Sequence, residues 1–145
     1  MKGILGSWPF WAVLSAVFAA LTAIFAKLGI SGVGTDFATF IRTVVILVTI
    51  AFILTLTGQW QPFGSVSSKS YAFLILSGFA TGASWLCYFR ALSLGDAARV
   101  APVDKLSVVL VAVFGVAFLG ESLSWRNWLG VLLIASGAVL VAMRA

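Results

Sequence analysis

Residues 37–57 read FATFIRTVVILVTIAFILTLT, with one charged residue, Arg42, and no glycine or proline. Coiled as an α-helix at about 1.5 Å per residue, such a run is roughly 31 Å long. That matches a bilayer's hydrocarbon core, about 30 Å thick. No alternation of polar and apolar residues runs through it, so a strand of a membrane β-barrel is excluded. In lipid the remaining option is a helix, because every backbone N–H and C=O must pair within its own segment.

Four more runs of the same kind flank it. The spans are Trp8–Leu28, Phe37–Thr57, Tyr71–Leu92, Ala97–Leu119 and Asn127–Met143. The composition agrees: 62% of the 145 residues are hydrophobic and 9% charged, against about half and about a quarter in soluble domains. A chain this short has no core large enough to hide that surplus, so lipid must act as solvent. Lys2 followed by an Ala-rich apolar run resembles a signal peptide, but the run has the length of a span, longer than an h-region. The expected fold is all-α: a polytopic membrane bundle of five transmembrane helices, one domain over residues 1–145, with lipid as its first partner.

Short polar breaks separate the spans. Residues 29–35 form a glycine-rich turn, with Asp36 placed to cap the second helix. Residues 58–70, with Pro62 and several serines, make the longest loop. Gly95 closes the third helix and Asp96 caps the fourth. Residues 120–126 make the last turn. Small residues mark where helices can approach closely: Gly78 and Gly82 in the third span, Ser15, Ala19 and Ala23 in the first, Gly130 and Gly137 in the fifth. Either packing within the chain or a dimer seam uses such ladders.

Several function classes drop out. There is no histidine, and Cys87 is the single cysteine, so imidazole catalysis, Cys-based metal sites and disulfides within one chain are excluded. Nothing builds a nucleophilic triad or a phosphate-cradling loop. No enzyme, metal or cofactor is expected. The net charge of +5 comes from scattered residues without a basic stripe, so no nucleic acid is expected as a partner.

The two membrane faces differ. Trp8, Trp60, Tyr71, Trp125 and Trp128 fall near the face that holds the N-terminus, as an aromatic belt. Lys2, Lys69 and Arg126 lie in loops on that face, and Lys27, Arg99 and Arg144 on the other. Three against three gives the chain no preferred orientation; adding Arg42, Arg90 and Lys105, which lie within spans, makes the second face the cytoplasmic one.

Charges inside spans cost at least about 2.5–3.5 kcal/mol at the centre, so Arg42, Arg90, Asp104 and Lys105 need a reason. All four approach the same face. One reading is an ion-pair network, Asp104 with Arg42 or Arg90. Another is the floor of a polar cavity, whose three cations against one carboxylate attract an anionic or zwitterionic solute. A third is snorkelling to the interface. Pro102, about a turn into the fourth span, removes a backbone hydrogen bond and points to a helix kink. Trp85 and Tyr88 share a face near Arg90, as packing or as an aromatic cavity wall.

Tyr88-Phe89-Arg90-Ala91-Leu92, Gly95-Asp96-Ala97, Val100-Ala101-Pro102, Leu119-Gly120-Glu121 and Gly130-Val131-Leu132-Leu133-Ile134 with Gly137 resemble, in this order, the repeat unit of the EamA-like branch of the drug/metabolite transporter superfamily. Arg42 and Lys27 fit that unit too. The resemblance implies a transporter of small polar metabolites such as amino acids or nucleobases, working by alternating access in a bacterial or archaeal cell (plasma or inner) membrane. Typical members hold two five-helix halves of opposite orientation. One half implies a dimer, and an odd span count implies copies inserted oppositely, hence an antiparallel homodimer of dual topology. A parallel dimer or a different partner chain stays open. On this basis Arg42, Trp85, Tyr88, Arg90, Asp104 and Lys105 face the solute path, and Glu121 caps a helix or pairs in a loop. The alternatives are a small multidrug exporter, which lacks its usual carboxylate in helix one, and a non-transporting membrane scaffold.

Overall fold

A computed structural model describes residues 6–143. Along them run α1 (Trp8–Gly29), α2 (Thr35–Thr57), a 3₁₀ turn (Phe63–Ser65), α3 (Ser68–Leu94), α4 (Ala97–Asp104), α5 (Ser107–Leu119) and α6 (Trp125–Ala142). No strand occurs among the described residues. α4 and α5 follow one another as a single 23-residue crossing, so five segments of 18 to 27 residues are long and apolar enough to span a membrane. The chain is a multi-pass, all-helical membrane protein.

The helix ends depart from the sequence reading where caps decide them. α3 begins before the apolar run, because Ser67 Oγ accepts a hydrogen bond from the Ser70 amide at 3.1 Å. α6 likewise begins at Trp125, where Ser124 Oγ accepts from the Asn127 amide at 3.3 Å. Asp36 is not the cap expected of it. Gly34 holds that place, and Asp36 sits in the first turn, where its negative charge favours the helix dipole. Asp96 does stand at the cap position of α4, but its side chain makes no capping bond. α2 and α5 both end on left-handed glycines, Gly58 at φ 64° and Gly120 at φ 68°, a conformation a Cβ disfavours.

Pro102 lies inside α4, and the irregular backbone follows it. Leu106 N–H bonds to Val103 O, Val108 N–H to Lys105 O and Val109 N–H to Leu106 O, each at 3.0 Å and each one residue short of α-helical spacing. The fourth crossing is thus a short helix, a tightened 3₁₀-like joint and a second helix, rather than one helix bent at the proline. Asp104 and Lys105 stand at the joint.

Packing falls into two compact units. One holds residues 25–93. Its buried residues are Ala26, Ile30, Thr39, Phe89 and Leu92, which come from the end of α1, the start of α2 and the end of α3. The unit is therefore tight at one end and turns aliphatic side chains outward over the rest. At the opposite end the aromatic residues tie the long loop down: Tyr71 Oη donates to Phe63 O at 2.9 Å, and Trp60 Nε1 to Thr55 Oγ1 at 3.1 Å. The threonines of α2 donate back to the carbonyl four residues earlier, as Thr39 does to Thr35 and Thr43 to Thr39 at 2.9 and 2.8 Å. A hydroxyl thereby satisfies itself without water.

The other unit holds residues 6–24 and 94–143. Here α6 packs against both α4 and α5, with Ala138 and Gly115 buried.

One device recurs in both units. Lys27 Nζ donates to the Leu92 carbonyl at 2.7 Å, near the end of α3. Arg99 Nη2 donates to the Ala142 carbonyl at 2.6 Å, the end of α6. The last carbonyls of a helix lack intrahelical partners and carry partial negative charge, so a cation from a neighbouring helix fits both needs. Replacing either residue with methionine is expected to destabilise the protein by about 1–2 kcal/mol, read as a lower unfolding temperature in detergent. Unchanged melting of both variants refutes the capping role. At the α4–α5 joint, Asp104→Ala is expected to harm folding or transport more than Asp96→Ala. Asp104 has a charged partner, while Asp96 has no capping bond to lose; equal and mild effects refute this. Five crossings also place residues 6–7 and 142–143 on opposite sides of the bilayer. Cysteines added there, in a chain with Cys87 replaced, are expected to label from opposite sides of sealed vesicles.

Candidate functional site

The polar site is built from α2 and α3 in the 25–93 unit. Arg42 stands seven residues into α2, roughly 10 Å along the helix. At that depth a charge is costly unless something compensates it. α3 supplies aromatic faces. The guanidinium carbon lies 3.9 Å from the centre of the Trp85 ring and 5.6 Å from that of Phe89. Trp85 and Phe89 are four residues apart on a helix, so they present to the same side. Phe89 is buried and fixed, with 3% of its surface exposed. A desolvated cation over an aromatic face gains about 2 kcal/mol or more, which holds the side chain in the span without neutralising it.

About two turns nearer the helix start, Arg90 Nη2 pairs with Asp36 Oδ1 at 3.5 Å. Both side chains are two-thirds exposed, and the pair is a loose one at the end of the unit. Asp36 is the only acidic residue between positions 25 and 93. With Arg90 set against it, Arg42 has no carboxylate left within its unit. No hydrogen-bond acceptor of that unit reaches its guanidinium among the described residues.

The expected site residues therefore divide. Arg42 and Trp85 are brought into direct contact. Tyr88 is half-buried on α3, next to Phe89. Arg90 belongs to the outer pair. Asp104 and Lys105 lie in the other unit and pair with each other, Nζ to Oδ2 at 3.3 Å. The ion pairs within the two units are Arg90–Asp36 and Lys105–Asp104. Pro102 is set just before the joint. Glu121 takes part in ending α5, through its backbone amide on the Gly115 carbonyl at 3.1 Å, while its carboxylate folds over Gly115 where a Cβ would otherwise sit.

Two residues of the site escaped the sequence reading. Phe89 carried a signal, the four-residue spacing from Trp85. Asp36 had one as well: a carboxylate at the start of one span and a cation at the end of the next lie at the same membrane face.

Along α3, Ile75, Gly78, Phe79, Gly82, Ala83 and Leu86 line an open apolar groove. No atom lies within 4 Å of where a Cβ would stand on Gly78 or Gly82, so this small-residue face is not consumed by packing.

Residues 6–143 match the model of the EamA-like transporter family. A protein of Sinorhizobium sp, described as an uncharacterized transporter in the cobO 3'region, is 65% identical over 137 residues, which make up 94% of this chain and 97% of that protein. No solved structure matches the chain. With its five crossing segments, its helical breaks and a match that runs through all of them, the chain belongs to the EamA-like transporter family.

Proposed function

We propose that the protein carries a small anionic or zwitterionic metabolite across the cell membrane of a bacterium or archaeon by alternating access, as a pair of five-helix units. The observation that carries this reading is Arg42. It is a cation within a span, braced by Trp85 and Phe89 and left without a carboxylate in its unit. Ionisable groups in a membrane span mark solute or ion paths by default. A charge kept in a span without a carboxylate partner costs free energy that an apolar residue would not. The broken backbone at the α4–α5 joint is a second support, since irregular backbone at membrane depth is tolerated where it lines a cavity or is covered by protein.

The need for two units rests on family arithmetic. The Sinorhizobium relative is matched over 97% of its length, so a protein described as a transporter likewise holds one five-helix unit. Units with an odd number of crossings complete an inverted arrangement only when inserted oppositely. The even split of loop charges permits both insertions, and the open glycine groove of α3 offers a face on which helices can approach closely. A cation exporter fits less well, because α1 contains no acidic residue.

Trp85→Leu, which removes the brace but keeps an apolar side chain, is expected to lower uptake into proteoliposomes roughly thirtyfold, the equivalent of about 2 kcal/mol. Uptake unchanged by this substitution refutes the site. For the paired arrangement, lysines added to the 58–70 loop force every copy one way. Transport is then expected to fall and to recover on co-expression with a copy biased the other way. A cross-linking map with all copies parallel overturns the antiparallel dimer.

A further inference from the structure

We propose that Arg42 selects solutes by a single, singly charged carboxylate, received edge-on by the guanidinium; this rests on the transport reading above. A guanidinium has two faces and an edge. The faces bind by stacking, while the five N–H donors all lie in the plane, in a fork that matches the two oxygens of a carboxylate. Here the guanidinium carbon lies 3.9 Å from the centre of the Trp85 ring and 5.6 Å from that of Phe89, and neither ring carries a carboxylate or carbonyl for the N–H donors. Within its unit Arg42 thus has aromatic rings that hold it in place and no acceptor for its donors among the described residues.

Charge arithmetic narrows the solute further. Between positions 25 and 93, Arg90 pairs with Asp36 at 3.5 Å, while Lys27 and Lys69 keep their charges at helix ends, Lys27 on the Leu92 carbonyl and Lys69 in the first turn of α3. Arg42 alone then contributes one positive charge at depth. One carboxylate neutralises it. A phosphate monoester, near two negative charges at neutral pH, leaves an excess charge in the span, and an amine adds a second cation. The preferred solutes are monocarboxylates; a zwitterion presents the same carboxylate to the fork but brings its own cation, and so ranks below them.

Lysine tests the edge, because it keeps the charge and loses both the fork and the flat face. The full chain, reconstituted in liposomes, is offered a panel of labelled monocarboxylates, neutral amino acids, amines, phosphate monoesters, nucleosides and sugars. The solutes taken up saturably are expected to carry a carboxylate, and their matched amides are expected to fail as competitors. Arg42→Lys is expected to weaken apparent affinity for the acid about tenfold to hundredfold. The amide comparison uses the unaltered protein and so stands even where a variant folds poorly. Saturable uptake confined to solutes without a carboxylate, amides that compete as well as acids, or a lysine variant that matches the parent each overturns the carboxylate assignment and leaves transport standing. No saturable uptake of any class overturns transport itself, and the carboxylate assignment with it.

Discussion

Hydrocarbon offers no water to a polar group that lacks a partner, and the architecture of this protein follows from that shortage. Helices satisfy their own interiors but leave four donors and four acceptors at their ends. The chain settles those ends with residues placed for the purpose. Ser67 and Ser124 accept from amides at helix starts, left-handed glycines turn the backbone at two helix ends, and Lys27 and Arg99 reach across to carbonyls of neighbouring helices. Even the threonines of α2 bond inward to their own helix. Two of the basic residues counted in the sequence as orientation signals thus have a second task, joining one helix to another.

What could be read from the sequence follows the same division. Span number and placement were legible because they depend on the length and apolarity of continuous runs, which no tertiary contact alters. Helix starts were less so. At Asp36, the residue expected as a cap lies two positions past it, in the first turn, because Gly34 ends the preceding loop in an extended conformation. Partner choice was the least legible. It depends on the rotation of each helix about its axis, which packing decides: a change of one residue, about 100°, exchanges Phe89 for Tyr88 or Arg90 on the face toward Arg42. Thus Arg42 and Trp85 could be named separately, but that they touch, and that Phe89 completes the contact, needed the arrangement of α2 against α3. The fourth span shows the same limit. Pro102 announced a disturbance, while the place where helical spacing fails, residues 105–109, is set by how the following turns tighten.

Arg42 is the point at which the economy of satisfied polar groups is deliberately incomplete. Near the same end of its unit, Arg90 has Asp36 and Lys27 has a helix end. The aromatic brace keeps Arg42 in position and brings no acceptor to its N–H donors within the unit. Under the proposed function this difference matters to the cycle as well as to binding. An empty site retains a full charge in the span, so water must remain near it and occlusion is costly. A bound carboxylate removes that charge, and the site can then close without stranding it. Binding energy is in this way directed at the step that moves solute across, rather than at retention, since only a differential interaction between two states can shift their balance. A fully paired arginine would make the same fold more self-sufficient and would give the solute nothing to change.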